Sequence, residues 1–236
     1  MRDGRYDPFR RRFSDRLRLD EPLAPHTSFR IGGNADALLS ARSRADVADA
    51  LALADTLALP CLVLGRGSNV LIDDAGFRGL VIRNESNVVT IDRDNGLVES
   101  DAGARLPTVG VQTAKAGLVG FEWAVGIPGS VGGAVVMNAG AHGGCLSDSL
   151  TTAEVFVAGN RETWNAARFD HSYRSSLLQR HRDVIVLGAS LSLKLGDSRE
   201  ALGRIQEYRA HRQATQPTDP GAGSIFRNPP DRSSGE

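Results

Sequence analysis

Between Ser43 and Pro60, the apolar residues Val47, Ala50, Leu51, Ala54 and Leu57 recur at helical spacing. Ser43 and Asp46 open this predicted helix as a capping box, and Pro60 closes it. The run CLVL at 61–64 then reads as a short strand, followed by the glycine turn GRGSN at 65–69. Two further strands, VVTID at 88–92 and LVES at 97–100, bracket Asn95 and Gly96, a dipeptide suited to a tight hairpin. Pro107 opens a helix that runs to Lys115 and stops at Gly117. Later, TTAEVFV at 151–157 and DVIVLGASLSLKL at 183–195 predict strands of a second α/β unit. Asp197 and Glu200 cap a last helix that carries Leu202, Ile205 and Tyr208 on one face and ends before Pro217. The segment after it is rich in Pro, Gly and Ser and predicts no element. The pattern is that of an α/β (α+β) chain without internal repeats.

Composition narrows the function classes. A chain of 236 residues, 41% hydrophobic and 24% charged, is long enough to bury roughly 70% of its unfolded surface without disulfides or structural metal. Cys61 and Cys145 form no CxxC pair, which fits a reducing compartment. Charge is balanced at 28 cations and 28 anions, so no global field favours nucleic acid or an anionic membrane. The first twenty residues hold seven arginines and four aspartates and read as a solvated extension. Trp123 to Ser147 carries no charge over 25 positions, yet its seven glycines, Pro128, Asn138 and His142 make it a poor membrane span. His142 and Cys145 fall short of the four ligands of a structural zinc site, so no metal is expected.

Glycine is the compositional anomaly, with 26 residues, nine of them between Gly117 and Gly144. In GRGSN, Gly65 and Gly67 let backbone N–H groups form a concave nest for a phosphate, and Ser68 and Asn69 add side-chain donors. Val70 stands where a dinucleotide fingerprint would have its third glycine, and such a segment taken alone is more often an ordinary turn than a ligand site. The block GIPGSVGGAVVMNAGAHGG, 126–144, reads as buried glycine-rich backbone, serving either a flat ligand or close packing in a core. YRSS at 173–176 and GAGS at 221–224 carry no signal separately.

Taken in order, HTSFRIGGNADALL, VLGRGSNVLIDDAGFRGLVI, GFEWAVGIPGSVGGAVVMNAGAHGG, YRSS and GAGSIFRNPP resemble the UDP-N-acetylenolpyruvoylglucosamine reductase family, also called UDP-N-acetylmuramate dehydrogenases, over about residues 20–236. The resemblance implies a two-subdomain FAD-binding fold of the vanillyl-alcohol oxidase type, followed by an α+β substrate-binding domain. It implies FAD as cofactor, NADPH as hydride donor and a cytoplasmic step of peptidoglycan precursor synthesis. Its partners are then UDP-N-acetylglucosamine enolpyruvate and NADPH, with no nucleic acid or membrane. Carried over residue by residue, it implies cofactor contacts at Gly65, Arg66, Gly67, Ser68, Asn69 and Val70, and at Ile127, Pro128, Gly129, Ser130, Gly132, Gly133, Asn138 and Gly140. By the same resemblance Arg174 stabilises an enolate and Ser224 donates a proton, while Tyr173, Arg227 and Asn228 contact substrate.

The resemblance also sets expectations of organisation: an arginine-rich extension over 1–19, FAD-binding subdomains over 20–85 and 86–196, and the beginning of a substrate domain over 197–236. The family's third catalytic group, a glutamate, has no counterpart here, so the sequence reads as a truncated enzyme, inactive toward the UDP-sugar. The apolar face of the 198–213 helix is then expected to meet a segment beyond Glu236. Arg227 stands where lysine is common and Cys145 where glutamate is common. The 50 positions from Arg174 to Ser224 (224 − 174) match the compact subclass. The rival readings are another flavin oxidase of the same fold and a noncatalytic FAD or UDP-sugar binding module.

Overall fold

The computed structural model describes residues 4–216, 219–221 and 228. Its first half is built on helix α1 (Asp7–Phe13) and strands β1 (Leu17–Pro22) and β2 (Asn34–Ala41). Helix α2 (Arg44–Thr56) leads to β3 (Cys61–Leu64), and β4 (Phe77–Asn84) closes the sheet. The strand order is β1-β2-β4-β3, with β2, β4 and β3 mutually parallel and β1 antiparallel at the edge. Helix α2 starts where expected: Ser43 Oγ accepts the Asp46 N–H at 3.0 Å. The Asp46 carboxylate reaches back one residue further than in a capping box, to the Arg42 N–H at 2.8 Å.

The second half runs β5 (Val89–Asp92), β6 (Leu97–Asp101), α3 (Leu106–Lys115), the two-residue β7 (Leu118–Val119) and α4 (Val131–Met137). It continues through β8 (Gly140–Ala141), β9 (Gly144–Cys145), β10 (Leu150–Val157), β11 (Asn160–Asn165), β12 (Ile185–Ser192), β13 (Lys194–Leu195) and α5 (Ser198–Thr215). Its main sheet is antiparallel in the order β11-β10-β12-β6-β5. Phe121, Trp123, Val131, Val135, Leu146 and Phe169 fill the core between this sheet and its helices.

The arginine-rich start is not a solvated extension. Tyr6, Phe9, Phe13 and Leu17, spaced three or four apart, are buried against Val47, Ala50 and Ala54 of α2 and against Leu39, Leu80 and Ile82 of the sheet. The polar residues between them, Arg10, Arg11 and Arg12 among them, face water, so the charged reading of the segment described one side of an amphipathic helix. The same core takes in Phe156 and Leu187 from the second sheet, which joins the two halves by apolar burial.

One charged contact crosses the same seam. Arg44 Nε lies 2.6 Å from Asp101 Oδ1, and its Nη1 lies 3.0 Å from Glu154 Oε2. Burial alone would lower the Arg44 pKa, but the hydrogen bonds and charges of Asp101 and Glu154 outweigh it and hold it raised.

Helix α5 also departs from expectation. Its buried residues Ala201 and Ile205 pack on Ala114 and Val125, with Leu202 and Tyr208 beside them. Arg204 Nη2 pairs with Glu122 Oε1 at 2.7 Å, and Arg212 donates to the Gly126 carbonyl. The apolar face therefore meets α3 and the 122–126 turn, and no segment beyond Glu236 is needed to cover it.

Because Phe9 is fully buried, Phe9→Ala should cost about 3–5 kcal/mol, measured by denaturant unfolding. A loss under about 0.5 kcal/mol, as at an exposed site, would return residues 1–19 to the status of a solvated arm.

Candidate functional site

The parallel strands β2, β3 and β4 end at one edge of their sheet, in Ala41, Leu64 and Asn84. The chain leaves them into Arg42, the 65–69 turn and Glu85, the edge at which open α/β sheets bind ligands. Gly67 has φ +67° and its N–Cα unit lies against the His26 backbone, so any side chain there would be strained and would overlap that carbonyl. The Gly67 carbonyl accepts the Ser28 N–H at 2.9 Å, which ties the turn to the 26–28 segment. Gly65 faces the second half, and a Cβ on it would overlap the Ser130 hydroxyl. Val70 packs with the cluster of Leu23, Leu64 and Val81.

Ser130 is the N-cap of α4, its Oγ accepting the Gly133 N–H at 3.4 Å. The backbone before and through it is largely spent on protein partners. Gly129 O accepts the Leu106 N–H at 3.0 Å, the Val131 N–H reaches Ala104 O at 3.0 Å and the Gly132 N–H reaches Ala102 O at 2.8 Å. At Gly132 the packing alternative thus holds: a Cβ there would sit 2.9 Å from Ala102 Cβ. Pro128 is exposed and Ile127 half-buried, beside Gly129, which approaches Ser68 Oγ. Gly140 pairs with Cys145 in the short β8–β9 ladder.

The other end of α4 holds the 171–179 loop. Val135 O lies 2.8 Å from His171 Nε2, and Val136 O accepts Ser176 Oγ at 2.6 Å and Gln179 Nε2 at 3.4 Å. These side chains satisfy carbonyls that a helix end leaves without intrahelical partners. Asn138, in the left-handed region at φ 41°, bridges the Ser172 carbonyl and the Ser147 N–H, each at 3.0 Å. Both ends of its amide serve the fold, each with one bond, which fixes the side chain in place. Within the loop, Ser172 and Ser175 exchange two backbone hydrogen bonds at 3.1 Å, and Arg174 takes a left-handed φ of 54°. Tyr173 is 58% exposed, and the Arg174 guanidinium lies 5.9 Å from its ring. Sequence reasoning takes His171 only as an isolated structural or exposed histidine and passes over Gln179, because neither belongs to a motif and their partner carbonyls lie some forty positions away.

At the sheet edge, Arg42, Arg66, Glu85, Asn87, Gly103 and Arg105 line a cleft of about 420 Å³. Arg66 is held below the usual guanidinium range, chiefly by burial and then by repulsion from Arg105 and Arg83, with Glu85 acting in the opposite sense. A cleft of mutually repelling cations at the end of a glycine turn suits an anionic dinucleotide, and these residues fit FAD. A larger concavity of about 500 Å³ between α1 and α2 shares no residue with the glycine segments. Ser224 and Arg227 lie outside the described residues, and Asn228 is exposed.

A family model described as an FAD binding domain matches residues 35–162. UDP-N-acetylenolpyruvoylglucosamine reductase from Parasynechococcus marenigrum is 43% identical over 218 residues, covering 90% of this chain and 73% of that protein. This chain belongs to the UDP-N-acetylenolpyruvoylglucosamine reductase family. The crystal structure of the reductase from Thermus caldophilus superposes with a TM-score of 0.77 at 36% identity, covering 93% of this chain and 76% of that one. Alkyldihydroxyacetonephosphate synthase matches at a TM-score of 0.60 and 18% identity, a likeness of fold alone. The reductase therefore has the two-subdomain FAD-binding fold of the vanillyl-alcohol oxidase type.

The seating of the 171–179 loop should depend on pH. A carbonyl only accepts, so His171 Nε2 carries the proton toward Val135, and its buried Nδ1 has no hydrogen-bond partner among the described residues. Burial holds its pKa below 6.5. Its contribution to stability is complete above pH 6.5 and is lost as pH falls toward the folded value, because the unfolded chain takes up the proton first. His171→Gln keeps a donor for Val135 and should flatten the fall in melting temperature between about pH 7 and about pH 5. An unchanged slope would exclude His171 as its source.

Proposed function

We propose that this reductase converts UDP-N-acetylglucosamine enolpyruvate to UDP-N-acetylmuramate with NADPH, as a cytoplasmic step of peptidoglycan precursor synthesis without nucleic-acid or membrane partners. The observation that carries the reading is the joining of two sequence blocks by α4: its first turn abuts the GRGSN glycine, and its last carbonyls hold the loop bearing Arg174. Among the described residues no helix is long and apolar enough to cross a membrane.

Bound FAD would supply hydride transfer, accepting hydride from NADPH and passing it to the methylene carbon of the enolpyruvyl group. The residues proposed to hold it are Gly65 to Val70 on one side and Ile127 to Ser130, Gly132, Gly133, Asn138 and Gly140 on the other. Hydride addition at the methylene carbon places the electron pair of the double bond on the neighbouring carbon and its carboxylate. Arg174 is the cation proposed to stabilise that enolate. Its backbone is fixed by the Ser172–Ser175 turn and by Gln179 Nε2, which donates to the Arg174 carbonyl at 3.1 Å. Such preorganisation matters, because a donor already aimed at developing charge contributes about 2.7–4 kcal/mol to the barrier. Ser224 is proposed to give the proton that ends up on the same carbon, and Tyr173, Arg227 and Asn228 to contact substrate. The proposed organisation keeps FAD-binding subdomains over 20–85 and 86–196, with the beginning of a substrate-binding domain over 197–236.

In a chain that includes the family's third catalytic group, Arg174→Ala should leave flavin reduction by NADPH nearly intact and slow reoxidation by the enolpyruvyl substrate about 100- to 1,000-fold, followed by stopped-flow absorbance. Ser224→Ala should show the same division. Equal slowing of both half-reactions would make these residues structural and would remove the assigned mechanism.

A further inference from the structure

The cleft at the sheet edge holds more cations than the fold uses. Glu85 also lines the cleft, but its carboxylate is paired at 3.1 Å with Arg83, which stands outside the lining. Arg42, Arg66 and Arg105 make no ion pair among the described residues, although Asp46 and Asp101 nearby are engaged by Arg16 and Arg44. They arrive from three separate places: Arg42 after β2, Arg66 after β3, and Arg105 at the start of α3 in the other subdomain. Asn87 and the backbone at Gly103 complete the wall. Three arginines against one carboxylate that is already paired leave the cleft with an excess of positive charge, and Arg105 repels Arg66 directly.

We infer that Arg42, Arg66 and Arg105 form a diphosphate clamp across the two subdomains, which selects a dinucleotide flavin over flavins with one phosphate or none. The inference rests on the FAD reading above and adds to it a charge-based selection by two residues, Arg42 and Arg105, that lie outside the glycine blocks. Guanidinium groups bind phosphate oxygens bidentately, so a diphosphate has enough acceptors to engage all three and to neutralise most of their charge. A flavin mononucleotide offers one phosphate at the end of its chain and cannot span the walls, and riboflavin offers none.

The test is equilibrium binding of FAD, flavin mononucleotide, riboflavin and inorganic pyrophosphate to the apoprotein, with melting temperature as a second readout. For the wild type, FAD affinity should fall steeply between about 0.01 M and about 1 M salt, as the screening length shrinks from about 30 Å to about 3 Å, while riboflavin binding stays level. Arg42→Ala and Arg105→Ala should each weaken FAD binding about tenfold, flatten its salt dependence and leave riboflavin unchanged. Each should also melt at or above the wild-type temperature without ligand, since a repelling charge is gone. Pyrophosphate should compete with FAD in the wild type and lose that ability in the double variant. FAD binding of wild-type strength and salt slope in both variants would overturn the clamp while leaving the FAD reading in place. Pyrophosphate binding that needs the arginines, without any FAD binding, would keep the diphosphate site and overturn the FAD reading.

Discussion

The site depends on one close contact, Gly65 against Ser130, where the first subdomain's glycine turn meets the N-cap of α4. A Cβ at position 65 would come 2.4 Å from the Ser130 hydroxyl, so any other residue there forces that hydroxyl out of its N-cap position. Because α4 is only seven residues long, whatever fixes its first turn also fixes its last, and there His171, Ser176 and Gln179 anchor the loop that carries Arg174. The GRGSN turn and the loop that carries Arg174 are thus set relative to each other through a short rigid element.

The seam around this contact combines two kinds of interaction. Apolar burial joins α1 and α2 to Phe156 and Leu187 and resists separation of the halves without directional preference. Arg44 adds direction, because its guanidinium is satisfied only when β6 and β10 present Asp101 and Glu154 together. The adjacent arginines of the cleft do the reverse, since Arg105 repels Arg66 across it. Stability and ligand demand are therefore separated along one interface: neutralised charge at Arg44, unneutralised charge at Arg42, Arg66 and Arg105.

Much of this was legible in the sequence, for reasons that differ by element. Helices α2 and α3 announce themselves through caps, Pro107 and apolar spacing, and β3 through its bounded apolar run. The strands β2 and β4 were missed because their central runs, Leu38 and Leu39 in β2 and Leu80, Val81 and Ile82 in β4, are buried on both faces and leave no polar alternation to read. Without those strands, the position of Arg42 at a sheet edge could not be seen. In α1, the aromatic spacing of Tyr6, Phe9 and Phe13 was present in the text but was hidden by the arginines between them. The ordered blocks revealed the family, yet they could not reveal that Asn138 spends its amide on Ser172 and Ser147, since those partners lie far along the chain.

The central claim is that Gly65 and Ser130 form the joint that holds FAD between the subdomains. Flavin retention by purified Gly65→Ala, Ser130→Gly and the double variant tests it most directly, with far-ultraviolet circular dichroism to confirm folding. Gly65→Ala should fold but lose flavin, because its methyl group displaces Ser130. Ser130→Gly should keep most of its flavin, since glycine is a tolerable N-cap. The double variant should regain flavin, because removing the Ser130 side chain frees the space that the new methyl group needs. Full flavin retention by Gly65→Ala, or no recovery in the folded double variant, would contradict the account.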